Sequence, residues 1–314
     1  MFHDLAATLV FAGALFAAGP ITEQGATLKV ENNAGASEGP AWDGRGSLYF
    51  TGRNRIYRLD TATGSAQVFR DPSGGANGLI FDHENRLVVC EAGNRRVTRT
   101  EPNGAVTVLA GMYEGRRFNS PNDLTLDSKG RIYFTDPRYG PRDGMEMSVE
   151  GVYRIDAPGK VTRILGREQV DRPNGILVSP GDRYLYVADN NNNNTGAARK
   201  LWRFRLDGGS VRTESRTLIF DWGGSRGPDG IEMDSKGRLF VAAGLNRPHP
   251  PHETNTLKGG VYVLSPEGKL LEFIPVPRDE VTNCAFGGPD LRTLYITAGG
   301  TLFSIRVRAP GRQP

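Results

Sequence analysis

The chain has 314 residues, with 39 lysine and arginine residues against 35 aspartate and glutamate residues and a formal net charge of +4. This length suits one large domain or two ordinary ones. The positive charge is spread over single arginines without a basic stripe or interleaved aromatic residues, so we expect no nucleic-acid partner. The 41 glycines and 20 prolines suit a chain with many tight turns, and no segment has the spacing of an amphipathic helix.

The N-terminal region contains an apolar stretch from Leu5 to Ala18, LAATLVFAGALFAA. It is short for a membrane span, but it has the length of a signal-peptide core and ends in small residues. The four residues ahead of it, MFHD, contain no lysine or arginine, which is unusual for such a signal. We predict a signal peptide over residues 1–19 and a periplasmic or secreted protein, with a cytoplasmic location as the alternative. No stable membrane insertion is expected.

Six near-copies of one pattern follow, each with an oxygen-bearing residue, small or apolar residues, a turn and a strand. The copies are EGPAWDGRGSLYFT, NGLIFDHENRLVVC, NDLTLDSKGRIYFT, NGILVSPGDRYLYV, DGIEMDSKGRLFVA and NCAFGGPDLRTLYI. Their first residues, which we call the ring residues, are Glu38, Asn77, Asn122, Asn174, Asp229 and Asn283. A repeat of this length is typical of a four-stranded propeller blade. We therefore predict an all-β, six-bladed β-propeller over residues 27–308, forming a single catalytic domain.

The third repeat illustrates the predicted blade. Residues 122–126 form the inner strand, 131–135 return after a DSKG turn, and 151–155 and 161–165 supply two outer strands. A strand near residues 27–31 is expected to complete the last blade. The two cysteines, Cys90 and Cys284, fall in different blades and are expected to be small buried fillers rather than a metal site.

Strand direction predicts where function lies. If each inner strand starts at one face, the top, then each second strand ends there too, about 14 residues after the ring residue. Three acids occupy such positions, Glu91, Asp136 and Asp189. We predict that they surround the ring and orient its amides through hydrogen bonds; the alternative is that they cap strand ends by bonding backbone N–H groups. The loops at this face, including residues 137–150, are where binding residues are expected.

The ring itself predicts a metal site. Carboxylate and amide oxygens are hard ligands that suit Ca²⁺ or Mg²⁺. Glu38 and Asp229 should belong to the ligand set, because an uncompensated buried carboxylate is costly. The alternative is that the ring residues merely hydrate a water-filled channel.

Four segments, in order, resemble the SMP-30/gluconolactonase/LRE family of six-bladed propellers across about residues 30–305. They are SEGPAW, RFNSPNDL with IYFTDPRYG, RPNGI and GPDGIEMD. The third-blade segment is most similar to bacterial gluconolactonases.

The resemblance implies one catalytic divalent cation, usually Ca²⁺, at the top of the channel. It implies Glu38, Asn174 and Asp229 as direct ligands, with Asn122 binding the ion or the substrate. Asp229 would be the catalytic base. Arg117 and Asn119, which flank the third-blade motif, would contact substrate.

From this we predict a calcium-dependent hydrolase that opens a sugar or related lactone, with other divalent cations as alternatives. The metal would polarise the carbonyl, and Asp229 would activate water or attack as a nucleophile. One alternative is a metal-dependent esterase or organophosphate hydrolase on the same site, and another is a non-enzymatic binding platform. The expected partner is a small-molecule lactone; the sequence does not identify it or the oligomeric state.

Overall fold

The computed structural model describes residues 20–312, which form six four-stranded antiparallel sheets and one two-stranded hairpin. The sheets are the blades of a six-bladed β-propeller, as predicted. The predicted signal core, from Leu5 to Ala18, lies outside the described residues. Within residues 20–312, no helix has the length and apolar character needed to cross a bilayer.

The strands run in chain order through five blades, and the first strand of the chain belongs to the sixth. That strand is β1 (Lys29–Ala36). Blade one contains β2 (Glu38–Trp42), β3 (Ser47–Gly52), β4 (Arg55–Asp60) and β5 (Ala66–Arg70). Blade two contains β6 (Ala76–Phe81), β7 (Leu87–Glu91), β8 (Arg96–Thr100) and β9 (Val106–Ala110). The hairpin that follows is β10 (Met112–Tyr113) and β11 (Arg116–Arg117).

The remaining blades have the same plan. Blade three contains β12 (Leu124–Leu126), β13 (Ile132–Asp136), β14 (Gly151–Ala157) and β15 (Lys160–Leu165). Blade four contains β16 (Pro173–Val178), a 3-10 turn (Pro180–Asp182), β17 (Tyr184–Asn190), β18 (Arg199–Asp207) and β19 (Ser210–Asp221). Blade five contains β20 (Ile231–Met233), β21 (Leu239–Ala243), β22 (Gly260–Leu264) and β23 (Leu270–Pro275). Blade six contains β24 (Val281–Gly287), β25 (Thr293–Ala298) and β26 (Gly300–Arg306).

The N-terminal strand closes the propeller. β1 pairs antiparallel with β26, with Lys29 opposite Ser304 and Val30 opposite Phe303. The strand expected near residues 27–31 is therefore present, and it extends to Ala36. Because the two ends of the repeat region share one sheet, the first and last blades are held next to each other without an open edge between them.

The apolar core lies between neighbouring blades. The second strands β7, β13 and β21 are buried along their whole length, because each has another blade on both faces. The outermost strands, such as β5 and β15, are largely exposed. Cys90 and Cys284 are free and buried, as expected. The rigid inner layers thus carry the ring, and the loops at the strand ends surround it.

Candidate active site at the top of the channel

The ring residues lie at or just before the start of the innermost strand of each blade. Glu38 begins β2 and Asn174 is the second residue of β16, while Asp229 precedes β20 by two residues. Side chains that are distant in sequence meet here: Asn283 Nδ2 donates to Glu38 Oε2 at 3.2 Å, across 245 positions. The repeat therefore brings together oxygen-bearing side chains at one end of the channel.

A glycine follows four of the ring residues, and it allows each blade to approach the next. A Cβ on Gly175 would overlap the carbonyl oxygen of Asp229 in the following blade. A Cβ on Gly230 would overlap the Asn283 side chain, and Gly39 and Gly78 meet the carbonyls of Asn77 and Asn122 in the same way. Close packing between ring positions thus requires glycine here, and at Gly39 a φ of +56° favours glycine as well.

Gly175→Ala should disturb the ring directly. The added methyl has no space against the backbone of Asp229, and such overpacking costs about 1–3 kcal/mol of unfolding free energy. Urea unfolding of the metal-free protein measures this loss. Gly140→Ala is the matched control, because open space surrounds a Cβ at that position. Equal stability of the two variants would contradict the packing argument.

The carboxyl groups of Asp229 and Asp123 are buried, and the half-buried Glu38 lies close enough for both to affect its ionisation. Burial raises the pKa of Glu38 well above its usual value, and Asp229 and Asp123 raise it further. Burial also raises the pKa of Asp229 to about 7, although Arg226 opposes this shift. Asp123, the residue after Asn122, has its pKa raised to about 7 by burial. A divalent cation would stabilise the charged forms of these groups.

Asp229 has one oxygen held and one without a partner. Its Oδ2 lies 3.3 Å from Arg226 Nη2, and no hydrogen bond reaches Oδ1 from any described residue. Arg226 is itself buried, and it also contacts Glu280 Oε2 at 2.8 Å and Glu253 Oε1 at 3.7 Å. Three acids therefore surround this guanidinium, which fixes the carboxylate of Asp229 from one side. Arg226 was not predicted from the sequence, although it lies three residues before Asp229 and directly precedes the GPDGIEMD segment.

The donor set fits a hard cation. Within residues 20–312, no group of three or more His, Cys, Asp and Glu side chains is placed to hold an ion, so a cation would need amide oxygens as well. The carboxylates of Glu38 and Asp229 with the amides of Asn174 and Asn122 supply such a set. Asn283 does not suit this role, because its Oδ1 accepts from the Cys284 N–H at 2.8 Å and its Nδ2 faces Glu38.

The two flanking residues predicted to contact substrate, Asn119 and Arg117, lie in different surroundings. Asn119 is 0% exposed, and its Nδ2 donates to the carbonyls of Asp136 at 3.3 Å and Val149 at 3.0 Å. Its Nδ2 thus anchors the loop of residues 137–150 to the end of β13, while no described residue bonds its Oδ1. Its contact with substrate stays a prediction. Arg117 is exposed in the small hairpin, where its N–H donates to Glu146 Oε2 at 2.8 Å. Its contact with substrate stays a prediction.

Two of the three acids that end second strands, Asp136 and Asp189, bond backbone N–H groups, as in the alternative interpretation. Asp136 accepts from Asn119 and Ser120 at 2.8 and 2.7 Å. Asp189 accepts from the Arg172 N–H at 2.7 Å. Asp136 and Asp189 therefore hold the segments that lead into Asn122 and Asn174. Their carboxylates accept from backbone N–H groups and not from the ring amides, as had been predicted.

Glu91 lies in a different environment. It bonds Arg96 Nε, Asn94 Nδ2 and Thr98 Oγ1, each at 2.7 Å. Arg70 Nη1 adds an ion pair at 3.1 Å. Although burial opposes ionisation, these donors together lower its pKa. Glu91 thus ties the rim of blade two together, and its predicted effect on the ring stays untested.

Asp136→Asn should destabilise the metal-free protein. The backbone N–H groups of Asn119 and Ser120 each donate to a different carboxylate oxygen of Asp136. In asparagine an NH₂ group replaces one of these oxygens and cannot accept, so one N–H donor loses its partner. An unsatisfied buried donor costs about 1–3 kcal/mol. Urea unfolding should show this loss, with the exposed Asp143→Asn in the following loop as control. Unchanged stability with weakened metal binding would instead support direct action on the ring.

The fold and the polar ring place the chain among six-bladed propellers with a site at the top of the channel. It belongs to the SMP-30/Gluconolactonase/LRE-like family, whose model matches residues 36–300. A gluconolactonase of Zymomonas mobilis subsp. mobilis is 32% identical over 304 residues, covering 88% of this chain and 79% of the relative.

Solved structures agree with this assignment. A gluconolactonase from Xanthomonas campestris is 29% identical, covers 92% of both chains and has a TM-score of 0.77. A calcium-binding protein, regucalcin, from Agrobacterium tumefaciens covers 91% of this chain and 96% of its own, with a TM-score of 0.72. At 21% identity, that second likeness concerns the fold alone.

Proposed function

We propose that this protein is a calcium-dependent lactonase that opens a sugar or related lactone. The family assignment and the gluconolactonase relatives support lactone hydrolysis. The site assignment rests on the state of Asp229. This carboxylate is buried, Arg226 holds one of its oxygens, and no described residue bonds the other. A group of this kind can accept a proton from water.

Each residue has a separate task in this proposal. Glu38, Asn174, Asp229 and Asn122 would hold the ion, which when bound supplies Lewis-acid polarisation of the lactone carbonyl. Asp229 takes a proton from the attacking water through its free oxygen, while Arg226 keeps the other oxygen in place. The proton must later reach the alkoxide that leaves when the ring opens, and the protonated Asp229 is the group placed to return it.

The same carboxylate could instead attack the carbonyl, and an isotope experiment separates the two routes. Single turnover in ¹⁸O-labelled water transfers the label to the product when Asp229 acts as a base. A nucleophilic route forms a mixed anhydride between Asp229 and the acyl group of the opened lactone. Attack of water on the aspartyl carbon of this anhydride leaves the label of the first turnover on Asp229 itself, where mass spectrometry of the peptide detects it. We propose the first outcome, because the ion pair with Arg226 holds the carboxylate on one side.

A substrate panel tests the function as a whole. The full-length protein is stripped with EDTA, reloaded with Ca²⁺ or Mg²⁺, and assayed on aldonolactones, an aryl ester and a phosphotriester. We expect hydrolysis of at least one lactone, loss after EDTA, and recovery with Ca²⁺. Activity that survives complete metal removal would contradict the calcium assignment. Hydrolysis of the ester or phosphotriester alone would replace the substrate class, and no hydrolysis at all would support a binding platform.

A further inference from the structure

Glu280 contacts Arg226 from the blade that follows. Glu280 lies directly before β24 of blade six, whereas Arg226 belongs to the segment that leads into β20 of blade five. The Glu280 Oε2 forms an ion pair with Arg226 Nη2 at 2.8 Å. The same nitrogen donates to Asp229 Oδ2 at 3.3 Å. One nitrogen of Arg226 therefore joins a residue of blade six to the proposed base.

The ion pair with Glu280 is the closest contact that Arg226 makes with an acid. Arg226 Nη1 lies 3.7 Å from Glu253 Oε1, which is beyond hydrogen-bond distance, and no described residue bonds its Nε. Arg226 is 6% exposed, so little water reaches the guanidinium. Because contacts between charged groups are the strongest that a guanidinium makes, Glu280 sets the position of Nη2. The hydrogen bond from Nη2 to Asp229 therefore depends on Glu280.

Glu280 is itself held on two sides. Its backbone carbonyl accepts from the Gly299 N–H at 3.0 Å, at the turn between β25 and β26. Its Oε1 lies 3.5 Å from Nδ1 of His249, a residue of the loop after β21. The Glu280 side chain is 37% exposed. A half-exposed group can be replaced without opening a cavity in the core, so the contact with Arg226 can be tested in a folded protein.

We propose that Glu280 is a positioning residue, which holds Arg226 Nη2 on one oxygen of Asp229 and so leaves the other oxygen free. This inference rests on the proposed function, in which Asp229 binds the ion and accepts a proton from water. Without Glu280, Nη2 loses its closest partner, and the guanidinium can lie across both oxygens of Asp229. A bidentate pair of this kind occupies the oxygen that the ion and the water need.

Glu280→Ala removes the contact with Arg226. Metal-stripped full-length protein is titrated with CaCl₂ by calorimetry, and lactone hydrolysis is measured at Ca²⁺ concentrations that saturate each variant. We expect calcium affinity and kcat each to fall about 10- to 100-fold, as is usual when a group that orients a metal ligand is lost. KM should change little, because Glu280 acts on Arg226 and not on the substrate. Urea unfolding without metal checks that each variant is folded.

Two further variants separate the contact from the charge. Glu280→Gln keeps an oxygen that can accept from Nη2 but carries no charge, so it should retain more calcium affinity and turnover than Glu280→Ala. Glu253→Gln is the matched control, since it removes the same charge beside the same guanidinium but faces Nη1 at 3.7 Å. We expect its losses to be smaller than those of Glu280→Ala.

A double variant tests whether the effect passes through Arg226. Arg226→Met keeps an apolar stem and removes every donor, so Glu280 has nothing left to position. Adding Glu280→Ala to Arg226→Met should therefore change calcium affinity and kcat by no more than about twofold, the ordinary error of additivity. In the wild-type background the same change should have its full effect.

Wild-type calcium affinity and kcat in Glu280→Ala would remove the positioning role. Equal losses in Glu280→Ala, Glu280→Gln and Glu253→Gln would show that the negative charge around Arg226 matters, and not the contact. An undiminished effect in the Arg226→Met background would show that Glu280 acts by another route. A wild type that binds calcium but hydrolyses no lactone would contradict the proposed function alone, because the calcium affinities still report on the position of Asp229.

Discussion

Asp229→Asn should lose most lactone hydrolysis while keeping the fold. Loss of a general base costs about 10²–10⁴-fold in rate. The structure also indicates that added Ca²⁺ will not restore the activity of this variant. Arg226 can only donate, so the asparagine oxygen must turn toward its Nη2, which now lies 3.3 Å from Oδ2. The NH₂ then replaces the free oxygen, and it can neither accept a proton nor bind a cation.

The measurement is steady-state hydrolysis of the best lactone at increasing Ca²⁺, with unfolding measured in parallel. Asp221→Asn, which changes an exposed carboxylate at the end of β19, should behave as the wild type. Near-wild-type turnover of Asp229→Asn at high calcium would show that another group is the base. Asp123 would be the next candidate, because it is buried with a pKa of about 7.

The fold could be predicted from the sequence because its signal is repeated. Each copy places an inner strand, a hairpin turn and a second strand at fixed distances, so an error in one copy is corrected by the other five. In blade three, the strands predicted over 131–135 and 151–155 are observed as Ile132–Asp136 and Gly151–Ala157. The inner strand is shorter, beginning at Leu124, because the chain at Asn122 and Asp123 turns to reach Gly78 of the neighbouring blade.

The partners of the ring residues could not be predicted in the same way. Arg226 and Tyr139 are not part of the repeat, since each occurs in one blade only. Arg226 contacts Asp229 within its own segment, but it is also held by Glu280, which lies just ahead of blade six. Tyr139 donates to the Asn190 carbonyl across 51 positions of sequence. The acids at the strand ends show the same limit. The length of the strands predicted that Asp136 and Asp189 lie at the top face. It could not predict their hydrogen-bond donors, which are backbone N–H groups of the preceding loops.

Below the ring, the channel continues as a cavity of about 330 Å³ whose lining includes Asp123, Glu232 and Trp42. Glu232 lies three residues after Asp229 in the chain, within β20, and lines this cavity. Burial raises its pKa to about 8; the Met233 N–H opposes this shift, and Asp123 adds to it. The repeat pattern in the sequence gives no reason to single out this residue, because the other copies have apolar or small side chains at the same position.

The raised pKa of Glu232 predicts how stability depends on pH. Between about 4.5 and about 8, the folded chain keeps a proton that the unfolded chain has released. Stability then falls as the pH rises through this window, because the folded state must ionise a group that it holds better when neutral. Below this range both states are protonated and there is no penalty. Asp123 and Asp229, with pKa values raised to about 7, add to the loss in the same direction.

Glu232→Gln isolates this effect from the metal site. Glutamine keeps an oxygen for the Met233 N–H but cannot ionise, so the variant should match the wild type at pH 5 and exceed it at pH 9. The gain is on the order of a few kcal/mol, since one pKa unit corresponds to about 1.4 kcal/mol. Urea unfolding of the metal-free protein at both pH values measures it, with the exposed Glu267→Gln as a control that should change nothing. A stability difference of the same size at pH 5 and pH 9 would mean that packing, and not the charge in the channel, distinguishes the variant.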